Sequence, residues 1–297
     1  MKPLISIIIP LYNKEQVITR TINSLLEQDY GNFEIIVVDD GSTDASAAVV
    51  QAMDDDRILV FTKKNTGVSD TRNYGSNHAS GHWLFFIDAD DVLLPGGLRT
   101  FINLMQAYPD LKFYTANFVA KEESGKEVRC CAREKEGIVE KRFKRLWQRH
   151  IFPRTGAMLV AKDAFRAVGG FRKECSIWED LEIVLLLLKK YDVAYSPQIV
   201  FMHFLDHKEL SQKVTLIEKE YAFYIDLSKA RNPYHKLMLL ELLKRIRDRR
   251  ARMGDNASVK LMRDKMGATG PIFLFFGQVE RYALKFWRKL NNKPVTA

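Results

Sequence analysis

FEIIVVDD (33–40) is a run of β-branched and apolar residues that stops on two carboxylates. A strand that is apolar at nearly every position is covered on both faces, as parallel strands inside an α/β sheet are. The same texture recurs on either side. LISIIIP (4–10) reads as a strand, and after it Ile18, Ile22, Leu25 and Leu26 fall on one helical stripe. Residues 44–53 read as a helix, 57–62 as a strand, 69–80 as a helix, HWLFFID (82–88) as a strand and 95–108 as a further helix. This alternation predicts an α/β domain: a mostly parallel sheet flanked by helices.

In such sheets ligands bind outside the carboxyl ends of the strands. Polar clusters stand at those ends: Tyr12 and Asn13 after the first strand, Asp39 and Asp40 after the second, Asn65 to Gly67 after the third, and Asp88, Asp90 and Asp91 after the fourth. The three carboxylates of FFIDADD (85–91) repel one another unless a cation or a donor-rich ligand lies between them. Asp88 and Asp90, two apart, share a face of an extended segment. Hard oxygens of this kind suit Mg²⁺ or Mn²⁺, which takes one or two protein carboxylates and leaves its other positions to water and substrate phosphate. That points to a nucleotide diphosphate; the competing reading is an acidic turn that merely ends a strand.

Farther along, a charge-rich stretch (121–149) precedes AMLVAKDAFRAVGGF (157–171), which reads as strand, helix and glycine turn. WEDLEIVLLLLKK (178–190) begins polar and becomes apolar all round, as a buried helix does, with Glu179 and Asp180 in its first turn. Beyond about Leu210 the pattern becomes helical, basic and amphipathic.

The 297 residues suffice for a full core with an appendage. Three cysteines without a CxxC pair give no disulfide framework, and a reducing compartment fits them best. The apolar start is cut short at Pro10 and reads as a strand, not a signal peptide. The later apolar runs fall short of the ~20 residues that span a bilayer. The expectation is a cytoplasmic protein, or one peripheral on the inner face of the cytoplasmic membrane. The net charge of +9 concentrates in ELLKRIRDRRARM (241–253) and RYALKFWRKL (281–290). Such asymmetry suggests an anionic partner. No nucleic-acid-binding motif accompanies it, so no nucleic acid is expected. In FFGQVERYALKFWRKL (275–290), Phe276, Val279, Tyr282 and Phe286 recur at helical spacing beside Arg281, Lys285, Arg288 and Lys289. Two readings stay open: a helix lying on an anionic membrane surface, or a stripe packed on the catalytic domain or on a second subunit of a homo-oligomer.

SIIIPLYNK, VVDDGSTD, NTGVSDTRNYG, FFIDADD and WEDLE, in this order and spacing, resemble the family 2 glycosyltransferases of the GT-A fold over residues 4 to 210. The resemblance implies a GT-A catalytic domain at 1–210, with a nucleotide-binding half (1–110) and an acceptor-binding half (111–210), followed by a helical basic appendage at 211–297. It implies a nucleotide-sugar donor, in the first place a UDP-sugar, a divalent metal (Mn²⁺ or Mg²⁺), and inversion at the anomeric carbon. The acceptor it implies is a glycan or lipid-linked glycan, as in cell-surface polysaccharide synthesis.

Carried over by position, Pro10 and Tyr12 line the donor's base, with the Tyr12 ring available to stack. Asp40, or else Asp39, accepts from an N–H of the base; the alternative is a turn with a helix cap. Arg72 and Asn73 match the pair near the nucleotide, against a surface salt bridge for Arg72. Asp90 is the metal ligand, Asp88 touches ribose or a metal-bound water, and Asp91 caps the turn. Asp180 matches the base that takes the acceptor's proton, against a role for Glu179 and Asp180 in complementing the helix dipole. His207 aligns better than His203 as a contact to metal or diphosphate. There the sequence departs from the family's commoner pattern, which has an arginine upstream and a serine where Glu209 stands; a structural histidine is the alternative. A nucleotidyltransferase would need a glycine-rich loop after the first strand, and Leu11 to Lys14 contains no glycine. A catalytically silent nucleotide-sugar binding module is disfavoured by intact Asp90 and Asp180.

Overall fold

The computed structural model describes residues 3–132, 135–205 and 216–291, the stretch 281–291 as helical backbone alone. The chain forms two compact units, Met1–Tyr221 and Ala222–Ala297, dividing later than the expected boundary at Leu210.

The first unit opens with β1 (Ile5–Leu11), α1 (Ile18–Leu26), β2 (Phe33–Asp39), α2 (Ser46–Gln51), β3 (Ile58–Thr62), α3 (Val68–His78) and β4 (Trp83–Phe86). It continues through β5 (Val92–Leu93), α4 (Gly97–Ala107), β6 (Phe113–Lys121), β7 (Glu127–Arg129), β8 (Gly137–Ile138), α5 (Arg142–Trp147), β9 (Met158–Ala161), α6 (Lys162–Ala167), α7 (Glu179–Lys190) and β10 (Ala194–Phe204). The main path of the sheet runs β3-β2-β1-β4-β9-β6-β10-β5, with β7 beside β6 and β8 beside β10. From β3 to β4 it is parallel, as expected. At β9 it becomes mixed: β9 runs antiparallel to both β4 and β6, while β6 and β10 are parallel.

The parallel half follows from its apolar runs. Ile7, Ile8, Ile9, Ile35, Ile36, Val37 and Val38 have no exposed surface, so helices must cover both faces. The register Ile7 to Ile35 and Phe85 brings the carboxyl ends of β1, β2 and β4 to one rim. α2 is shorter than expected because Asp44 stays outside it and accepts from the Ser46 amide (2.9 Å), which holds the chain in a turn. α7 is buried along Leu181, Ile183, Val184, Leu185, Leu187 and Leu188.

After α8 (Tyr221–Tyr224), the second unit consists of α9 (Pro233–Arg252), α10 (Asn256–Met266) and α11 (Gly270–Asn291). Asn232 caps α9 by accepting from the amides of Tyr234 and His235, with Pro233 at the first helical position. α10 packs on α9, and Val259, Met262 and Met266 of the one and Leu239 and Leu243 of the other are buried.

α3 lies on the sheet at Gly75, where an added Cβ would stand 2.7 Å from Cγ2 of Ile8 and 3.2 Å from Cγ2 of Val38. Neither neighbour can retreat within a closely packed core. Gly75→Val is therefore expected to destabilise the first unit by about 3 kcal/mol, read as a lower urea midpoint with an unchanged slope.

Candidate active site

The carboxyl ends of β1, β2 and β3 are joined at the rim by backbone bonds: the Asp40 amide donates to Leu11 O (2.8 Å) and the Lys63 amide to Asp39 O (2.9 Å). Tyr12 follows β1 and is 44% exposed, so its ring is free to meet a planar ligand. Asn13 takes positive φ (52°), a conformation asparagine tolerates, and accepts from the Thr43 amide (2.8 Å). Pro10, on β1, sits half-buried at the same end.

Asp40 organises the loop after β3. One oxygen accepts from Lys63 Nζ and the Thr66 amide, and the other from the Gly67 amide (2.9 Å). With about four acceptor sites on a carboxylate, room for one more N–H remains. Asp39 is 2% exposed and accepts from the Ser42 amide (3.1 Å), the turn-building alternative weighed above.

The loop after β4 is held by α1 and by Gln28 just beyond its end. Arg20 donates to Asp90 O (2.7 Å), Thr21 Oγ1 to Ala89 O (2.8 Å), and Gln28 Nε2 to Leu94 O (3.0 Å), while Ser24 Oγ accepts from the Leu93 amide (3.1 Å). Recurrence near i, i+4 and i+8 puts these polar side chains on one stripe, beside the apolar stripe of Ile18, Ile22 and Leu25. Asp88 and Asp90 thus stand on a fixed backbone, 25% and 31% exposed respectively.

Arg72, on α3, is 3% exposed and lies beneath the rim. Its Nη2 donates to Asp88 Oδ1 (2.6 Å) and its Nη1 to Glu179 Oε1 (2.8 Å), and the guanidinium lies 5.1 Å from the centre of the Phe171 ring. Burial disfavours its charge, but the two carboxylates outweigh burial and raise its pKa. Burial also pushes Asp88 up, yet the charges of Arg72 and Arg154 hold it below the ordinary carboxylate range. For Glu179 burial wins and the carboxyl is raised. Arg72 is therefore a buried ion pair and not a surface salt bridge. Asn73 is likewise spent within the protein: its Nδ2 donates to Phe171 O (2.7 Å) and its Oδ1 accepts from the Phe171 amide (2.9 Å). Both members of the pair are thus hydrogen-bonded within the protein.

Asp91 differs from expectation too. It does not merely cap a turn but is fully buried, with Oδ1 3.0 Å from His203 Nδ1 and accepting from the Phe204 amide (3.2 Å). Burial pushes its carboxyl up, with His203 opposing. His203 is thus committed to Asp91, and His207 lies outside the described residues.

α7 begins after Trp178, which adopts positive φ (65°), a conformation a bulky side chain takes only where its surroundings enforce it. Glu179 then turns inward to Arg72. Asp180 stays half-buried and accepts from the Leu181 amide (2.8 Å). Of the two acidic residues, Asp180 is the one not held in a salt bridge to Arg72.

A cavity of about 680 Å³ opens beside Asp90, lined also by Asn13, Lys14, Arg20, Glu122 and Phe204, a volume that suits a small-molecule ligand. Neither Asp40 nor Asp180 reaches its wall. Lys14 Nζ is paired with Asp90 Oδ2; Lys14 stands within the quoted SIIIPLYNK motif just past the end of β1, and that place was the signal available for it.

The donor set fits a divalent ion. Asp88 and Asp90 offer hard oxygens from a rigid loop, and the side chain now neutralising Asp90 is a flexible, 38% exposed lysine. Among the described residues no group of three or more His, Cys, Asp or Glu is placed to hold a metal unaided. Such an ion would need ligand oxygens, as Mg²⁺ commonly does.

A family profile described as Glycosyl transferase family 2 matches residues 6–169, more than half of the chain. The chain is 37% identical over 145 residues to the GalNAc(5)-diNAcBac-PP-undecaprenol beta-1,3-glucosyltransferase of Campylobacter jejuni, covering 48% of this chain and 42% of that one. It is 38% identical over 103 residues to the UDP-Glc:alpha-D-GlcNAc-diphosphoundecaprenol beta-1,3-glucosyltransferase WfgD of Escherichia coli, covering 34% of this chain and 41% of that one. The matched stretch is less than half the length of these relatives. The fold is similar to that of S. aureus TarS 1-349 in complex with UDP-GlcNAc, with a TM-score of 0.63 at 20% identity, covering 82% of this chain and 65% of that one.

Replacing Arg72 by methionine leaves the buried Glu179 and the part-exposed Asp88 without their cation, at an expected cost of about 3 kcal/mol in denaturant unfolding. Glu179→Gln in the same chain should recover part of that loss. Strictly additive losses in the double-mutant cycle would contradict the coupling.

Proposed function

The chain belongs to glycosyl transferase family 2, and on that footing we propose that it is an inverting transferase, moving a sugar from a UDP-sugar to a hydroxyl of a glycan or lipid-linked glycan. The observation that carries this reading is the division among the acidic residues. Asp88 and Glu179 are bound to the buried Arg72, whereas Asp90 meets the part-exposed Lys14 and Asp180 lies half-buried outside that pairing, each near the fixed start of a loop or a helix. The names of the Campylobacter and Escherichia relatives, both glucosyltransferases named for undecaprenol-linked sugars, support a lipid-linked acceptor.

In this reading Tyr12 and Pro10 receive the base, and the remaining acceptor capacity of Asp40 takes one of its N–H groups. Asp90, with Asp88, would hold Mg²⁺ or Mn²⁺, which when bound supplies positive charge to the diphosphate leaving group. Asp180 takes the proton of the acceptor hydroxyl while that oxygen bonds to the anomeric carbon. The bond from that carbon to the diphosphate oxygen breaks, its electron pair leaves with UDP, and attack from the opposite side inverts the configuration. Glu179 cannot easily share this work, because Arg72 holds its carboxylate inside.

The decisive experiment is a thermal-shift and hydrolysis screen of nucleotide sugars with and without Mn²⁺, since a bound donor raises the melting temperature in proportion to its saturation. A donor that stabilises the protein and is slowly hydrolysed is expected; absence of any stabilisation across UDP-, GDP- and dTDP-sugars would sink the proposal.

Asp90→Ala should abolish the metal-dependent part of UDP stabilisation, and an unchanged shift would remove Asp90 from the site. Asp180→Asn should retain donor binding while turnover falls by about 10²-fold or more. Retained turnover would assign the base elsewhere.

A further inference from the structure

α11 is apolar on two opposite faces. On one, Leu274 is buried and Gly270 comes close to Leu240 of α9, where an added Cβ would stand 3.2 Å from Leu240 Cδ2; Phe273, beside them, is approached by Lys236 Nζ at 5.7 Å from its ring centre. On the other, Ile272, Phe275, Phe276 and Val279 stand at i, i+3, i+4 and i+7, 61%, 63%, 67% and 49% exposed. At 3.6 residues per turn these four cover an arc of about 100°. An apolar helix face is ordinarily buried, and here one of the two is not. It is not a membrane span: among the described residues no helix is long and apolar enough to cross a bilayer.

Charge decides between the partners that could cover this face. Residues 222–297 hold 17 of the 46 Lys and Arg but only 6 of the 37 Asp and Glu, so this unit is +11 and the rest of the chain −2, against +9 overall. The whole positive excess belongs to the unit that carries the exposed stripe. Two copies meeting through it would bring two strongly cationic units together, at an electrostatic penalty. An anionic leaflet attracts the same charge and also receives apolar side chains. A nucleic acid would use the charge but offers little to an Ile-Phe-Phe-Val stripe.

We propose that the outer face of α11, formed by Ile272, Phe275, Phe276 and Val279, lies in the surface of an anionic lipid bilayer, with the basic residues of the second unit holding the protein there. Phe286 and Leu290 continue the same sequence register to the end of the helix. The assignment does not depend on the transfer reaction. It extends to Ile272 and Phe275 a stripe that sequence alone began at Phe276.

The test is cosedimentation of the full chain with vesicles of phosphatidylglycerol and phosphatidylcholine, and of phosphatidylcholine alone. The unaltered protein should pellet with the anionic vesicles, and less so at about 1 M salt, where the Debye length is about 3 Å. F275E/F276E should weaken this binding about tenfold or more while leaving donor hydrolysis unchanged. The milder I272Q/V279Q pair should weaken it in the same direction, which guards against misfolding of the first variant. Equal pelleting of both variants and the parent would leave charge alone and overturn the docking face. So would no pelleting of the parent, or a parent dimer that F275E/F276E splits without any vesicle binding. Loss of donor hydrolysis with vesicle binding intact would instead count against the enzyme reading alone.

Discussion

A single buried guanidinium holds the candidate site together. Arg72 reaches Asp88 at the end of β4 and Glu179 at the start of α7, residues 16 and 107 positions away in sequence. Burying an arginine is costly unless it is paired and hydrogen-bonded, and this one has two carboxylates and an aromatic face. Asn73, next to it on α3, fixes Phe171 by both amide atoms, so even the ring beneath the guanidinium is held. The arrangement connects α3, the acidic loop and the helix that carries Asp180. Remove the cation and the two carboxylates are left facing each other across the buried space it occupied.

This constraint separates acidic residues that look alike in sequence. Asp39 builds a turn, Asp40 organises the loop after β3, and Asp91 binds the end of β10. Their neighbours Asp90 and Asp180 keep exposed surface. The carboxylates bound within the protein thus hold the backbone that carries Asp90 and Asp180, and a reacting group must be positioned without being buried by its own scaffold.

Much of the parallel half was legible because its signal is local. Runs such as Ile7 to Ile9 or Val37 and Val38 can be satisfied only inside a covered sheet, and carboxylates at their ends mark the rim. The mixed half was harder. β9 is a four-residue strand whose direction is fixed by β4 and β6 on its two sides, and the two-residue β5 is specified by its pairing with β10. Neither direction is written in a short apolar run. The site shows the same boundary. Asp88, Asp90, Glu179 and Asp180 were visible as types in motifs, but the inward turn of Arg72 and Glu179 depends on two segments meeting across more than a hundred residues, and Asp91 met His203 in the same way.

The cations of the rim bear on how an anionic donor could be received. Lys14 is paired with Asp90, Lys63 with Asp40 and Asp70, and Arg72 with Asp88 and Glu179. These three cations stand against five carboxylates, so a diphosphate entering among them would meet no excess of positive charge. Opening a pair such as Lys14 with Asp90 frees one cation but bares one carboxylate, which gains nothing overall. A divalent ion arriving with the diphosphate changes that sum by two positive charges at once, and only the flexible, part-exposed lysine need give way to admit it. That sum is the electrostatic ground on which the proposed reading gives the donor a divalent counterion.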